Sequence, residues 1–169
     1  MAEPLKTIAV LVANPALSSI LSMVLASVPS FRVRPFESEL ALQIYMRLAP
    51  VDLVVTDFDA RSARADLVTR ELRDDPWLEQ PNFQVIALAS AVSPRTRDIC
   101  TAVGIDEVIV KPMSPKYLLE RVQSRLEQRT VAHQSVRQTP RPKPLQLQDI
   151  ATFDNVIPLW TQDRPLPQH

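Results

Sequence analysis

Five short apolar runs, Thr7–Val12, Phe31–Phe36, Val51–Thr56, Phe83–Leu88 and Glu107–Val110, alternate along the chain with longer stretches of helical period. A helix between each pair of strands leaves too much chain for tight hairpins. The strands must therefore pair in parallel, with the helices packed on the sheet. The runs TIAVLV, VDLVVT and FQVIAL are nearly continuous in apolar character and do not alternate with polar residues. A strand covered on both faces requires that pattern. The expected fold is α/β, a doubly wound five-stranded parallel sheet, with any site at the carboxyl ends of the strands.

The helix signals agree. Asn14-Pro15, Ser93-Pro94 and Ser114-Pro115 each join a capping side chain to a proline preset for the first turn, and Ser38 caps the second helix. Buried stripes are expected at Leu17, Ile20, Leu21, Val24, Leu25 and Val28 in the first helix, and at Leu40, Ile44 and Leu48 in the second. The third helix is expected from Ser62 to Arg73, and the last one buries Leu118, Leu119, Val122 and Leu126. Gly104, the single glycine, ends the fourth helix as a left-handed cap. Cys100 falls in the core, and Trp77 packs the loop before the fourth strand. Arg61, Arg64, Arg70 and Arg73 scatter in angle around the third helix, as on a solvated face.

Composition narrows the function classes. Nineteen basic residues balance nineteen acidic ones, so no bulk charge draws the chain to DNA or membrane. No apolar run approaches the roughly eighteen residues that span a bilayer. The N-terminus lacks the pattern of a signal peptide, and a cytoplasmic protein is expected. One cysteine excludes an internal disulfide and a multi-cysteine metal site. Six of the sixteen prolines lie from Pro140 to Pro167. The expected organisation is a domain at 1–129 and a flexible proline-rich tail at 130–169. Within that tail the apolar island 153–160 (FDNVIPLW) offers Phe153, Ile157 and Trp160 as partner-binding anchors. Pro158 favours an extended bound form, laid along a groove or sheet edge.

Two strand ends carry the most informative residues. VDLVVTD puts Asp57 at the end of the third strand, and Gly104-Ile-Asp-Glu-Val-Ile-Val-Lys111-Pro112 puts Lys111 at the end of the fifth. In order and spacing, residues 5–128 resemble the response-regulator receiver (CheY-like) domain family. The resemblance implies that Asp57 is the phosphoacceptor, and that Lys111 and a hydroxyl after the fourth strand bind the phosphoryl oxygens. Two acids after the first strand would hold Mg²⁺. Asp57 and Lys111 match that pattern. Elsewhere the chain departs from it: Val12-Ala13-Asn14 stands where the acids belong, and Ala89 takes the hydroxyl position, with Ser90 adjacent. Val108 replaces the usual aromatic residue, and Ala60-Arg61 and Ala65 replace a Met-Pro and a glycine.

Magnesium demands a near-octahedral oxygen cage. One carboxylate, Asp57, with Asn14 as a neutral helper, is a poor one, and Asp59 is expected to point to the other side of its loop. No catalytic residue and no cofactor are therefore expected. Asp57 and Lys111 read equally as a semi-buried ion pair. The leading expectation is an atypical stand-alone receiver-like protein that docks on a signalling partner, a histidine kinase or a downstream effector, without binding DNA or membrane. Its other expected partner is a second copy, weakly, through the fourth helix, fifth strand and fifth helix. Two alternatives stay open: a phosphorylation-driven switch using Asp57, and a regulator that binds a cyclic dinucleotide through Arg137, Arg141 and Lys143.

Overall fold

The structure, a computed structural model, describes residues 4–137, with side chains placed through 129. Ten elements alternate: β1 (Lys6–Leu11), α1 (Pro15–Ala26), β2 (Phe31–Pro35), α2 (Glu39–Leu48), β3 (Leu53–Asp57), α3 (Ala65–Asp74), β4 (Gln84–Ala89), α4 (Pro94–Val103), β5 (Glu107–Val110) and α5 (Pro115–Arg137). All pairings are parallel, and the strand order is β2-β1-β3-β4-β5. The direction of winding thus reverses between β1 and β3, the point where open α/β sheets open a crevice at their carboxyl edge.

The sheet divides two cores. Ala9, Leu11, Val54, Val85 and Ala87 face the layer that contains Leu42, Met46, Val68, Leu72 and Cys100. Ile8, Val10, Leu53, Val55, Ile86 and Leu88 face Leu21, Leu25, Leu118, Val122 and Leu126. Successive strand residues go to opposite faces, so coverage on both sides produces the unbroken apolar runs seen in the sequence.

The caps form as the sequence predicts. Asn14 accepts the Leu17 amide, Ser38 the Ala41 amide and Ser93 the Thr96 amide. Gly104 adopts φ 81°, and its N–H and that of Ile105 return to the end of α4. Cys100 is buried, and burial followed by the charge of Asp66 raises its thiol pKa.

Several local expectations are corrected. In α2, Leu40, Ile44 and Leu48 point outward, at 65%, 48% and 78% exposure, while Leu42 and Met46 are buried. Both stripes have helical spacing; the rotation is decided by how α2 leaves β2, with Phe36 packed against Tyr45 at 5.3 Å between ring centroids. Ile20 of α1 is exposed in the same way. Trp77 is 74% exposed, and its neighbour Leu78 fills the core position instead. The third helix begins at Ala65, later than Ser62, and no side chain caps its first turn. The last helix continues to Arg137, past the boundary expected at 130.

Candidate functional site

Asp57 is the last residue of β3 and lies in register with Leu88; Ala89 at the end of β4 pairs with Val110. Asp57, Ser90 and Lys111 therefore emerge at the carboxyl ends of three adjacent strands. Asp57 is buried, at 6% exposure. Its Oδ1 accepts the Lys111 ammonium at 3.0 Å and the Asp59 backbone N–H at 3.0 Å, and Oδ2 takes the ammonium at 3.2 Å. The Lys111–Pro112 peptide is cis.

The Asp57 carboxylate bonded to the amide two residues on is a local turn that folds the loop back over the strand ends. This corrects the expected direction of Asp59. Its carboxylate sits on the same side as Asp57 and Lys111, with Oδ2 accepting the Ser90 backbone N–H at 2.6 Å and the Ser90 hydroxyl at 2.7 Å. The Lys111 ammonium is 3.0 Å from the same oxygen. Burial acts to raise the Asp59 pKa, but the hydrogen bonds from Ser90 and Lys111 outweigh it and hold the carboxyl below its ordinary range. Burial pulls the Lys111 ammonium down, and its bonds to Asp57 and Asp59 more than offset this, leaving it above its usual value. Two carboxylates thus share one ammonium.

The residues present do not fit magnesium. Val12 and Ala13 follow β1 with no carboxylate, and the Asn14 carboxamide oxygen is taken up by the Leu17 amide. Both oxygens of Asp57 face the ammonium. Among the described residues no group of three or more His, Cys, Asp and Glu side chains is placed to hold a metal ion.

Around the site, Arg64 makes a bidentate pair with Asp66, at 2.6 and 2.7 Å, and lies over the Phe58 ring. Arg73 stacks on Phe83. Among the described residues, Arg61 and Arg70 are exposed, as on the expected solvated face. The tail anchors Phe153, Ile157 and Trp160, with Arg141 and Lys143, lie outside the described residues, as does the Arg137 side chain. Among the described residues no helix is long and apolar enough to cross a membrane.

Asp59 is the site residue that reading the sequence missed. Its inward position is set by the turn that Asp57 closes onto the Asp59 amide and by Ser90 and Lys111, which no local spacing in the sequence announces.

The fold is that of response regulator receiver domains. A response regulator from Thermotoga maritima aligns over 73% of this chain and 98% of its own, at TM-score 0.62 and 23% identity. A CheY-like receiver domain protein from Methanospirillum hungatei aligns over 76% and 98%, at TM-score 0.66 and 16% identity. The chemotaxis protein CheY4 of Vibrio cholerae aligns over 72% and 98%, at TM-score 0.62 and 19% identity. No family model matches the sequence. No curated protein matches it either.

Proposed function

We propose that this chain is an atypical receiver-fold module of bacterial signal transduction that works in the cytoplasm by docking on a partner, a histidine kinase or a downstream effector. In this reading it is not an enzyme, and Asp57 is not phosphorylated in the usual magnesium-dependent way. The observation that carries the reading is the ammonium of Lys111, shared by Asp57 and Asp59, together with Val12 and Ala13 in place of acids after β1. Phosphoryl transfer depends on positioning and on neutralising charge at the transferring group. Here an extra carboxylate adds negative charge, and among the described residues Lys111 is the one cation bound to the pair.

The test is incubation of the full chain with an acyl phosphate and Mg²⁺, followed by intact-mass measurement. No phosphoryl adduct is expected. An adduct that disappears in Asp57→Asn would establish the phosphorylation-driven switch instead.

A further inference from the structure

Three donors from two strand ends converge on one oxygen, Oδ2 of Asp59: the Ser90 backbone N–H, the Ser90 hydroxyl and the Lys111 ammonium. An amide, a hydroxyl and an ammonium aimed at one point make a binding place for an anionic oxygen. The donors and the acceptor differ in how they are held. Ser90 and Lys111 follow directly on β4 and β5, whose ends are tied by the Lys111 N–H to Ala89 carbonyl bond at 2.8 Å. Asp59 rides on the loop after β3, 31 residues from Ser90 in sequence, and its side chain is 39% exposed. The cradle thus belongs to the rigid sheet edge, and its occupant to the loop.

We propose that Ser90 and Lys111 form an oxyanion cradle that Asp59 fills in cis, so that the chain's own carboxylate latches the β3–α3 loop to the ends of β4 and β5. The latch excludes an external tetrahedral oxyanion such as inorganic phosphate. A tethered ligand competes at an effective concentration on the order of millimolar, and an aspartate carboxyl is anionic at neutral pH. This deepens the function proposed above and rests on it: with Asp59 seated, the donors that a phosphoryl group on Asp57 would need are engaged.

The experiment uses the full ¹⁵N-labelled chain, as wild type, Asp59→Ala and Asp59→Asn, titrated with inorganic phosphate in EDTA against a chloride control of equal ionic strength. In Asp59→Ala the Ser90 amide resonance is expected to shift saturably, with a Kd at least about tenfold below any wild-type value. Adding Ser90→Ala is expected to abolish that gain. Exchange of the Ser90 amide should quicken in Asp59→Ala and slow again with phosphate. Asp59→Asn keeps the shape and removes the charge, so it serves the same comparison should the alanine variant fail to fold. Binding by the variants no tighter than wild type, or a saturable wild-type shift at the same concentrations, overturns the proposal. Neither magnesium nor a phosphodonor is present, so covalent phosphorylation of Asp57 in the earlier test overturns the function without deciding the latch.

Discussion

Arg73 of α3 lays its guanidinium over the ring of Phe83 at the foot of β4, 4.2 Å from the centroid, and the same group donates to the Gly104 carbonyl at 3.0 Å. One side chain thus joins α3, the entry to β4 and the end of α4. Removing it in Arg73→Ala is expected to cost about 1–3 kcal/mol, from the lost stacking and the charge-assisted hydrogen bond. Arg73→Lys should recover less than half, since an ammonium cannot lie flat on a ring. Urea unfolding measures both. Equal midpoints for Lys and Arg at position 73 would remove the planar contact from the account.

The cap beside it is testable separately. Gly104 sits at φ 81°, where a side chain is strained whatever the space, and an added Cβ would lie 3.4 Å from Arg73 Nε. Gly104→Ala is expected to destabilise by about 1–2 kcal/mol, and Gly104→Asn by less, because asparagine tolerates the left-handed region.

At the strand ends, Lys111→Met and Asp57→Asn should differ. The first leaves a buried carboxylate without its cation, next to a second carboxylate, at an expected cost of about 3–5 kcal/mol. The second leaves Lys111 paired with Asp59 and keeps the shape, so about 1–2 kcal/mol is expected. The docking function predicts that folded Asp57→Asn keeps its biological activity. A folded but inactive Asp57→Asn protein would count for the phosphorylation switch.

Stability should also depend on pH through α2 and α3. The Glu39 carboxyl is pushed up to about 7, from an ordinary 4.5, by burial first and then by its hydrogen bond to Glu71 and the charge there. Between those values the folded chain holds a proton that the unfolded chain has released. The contribution is therefore present at the acid end and lost as pH rises through about 7. The unfolding midpoint is expected to fall from pH 5 to pH 8 more in wild type than in Glu71→Gln. Parallel pH profiles for the two proteins would refute the pairing.

The two stripes of α2 give a direct test of packing. Leu42→Ala and Met46→Ala are expected to cost about 2–5 kcal/mol each, whereas Leu40→Ala and Leu48→Ala should stay within about 0.5 kcal/mol of wild type. The sequence alone favoured the opposite face.

That inversion shows where legibility ends. Strand runs, caps and Gly104 could be read from residues in order, because period, capping and φ preference act over a few neighbouring residues, whereas Asp57 and Lys111 were singled out by the resemblance to receiver domains. The alternation also pointed to the parallel doubly wound sheet, because runs such as TIAVLV are apolar on both faces and the helices between the strands can cover both. What remained was decided between distant parts of the chain. The rotation of α2 depends on its packing against Phe36 and the sheet, and Trp77 yields to Leu78 for the same reason. Asp59 turns inward because Ser90, 31 residues away, and Lys111, itself 54 residues from Asp57, arrive at the same corner. A lone carboxylate in a loop is most stable in water, and only the sheet's assembly of an amide, a hydroxyl and an ammonium at one point makes the inward position favourable.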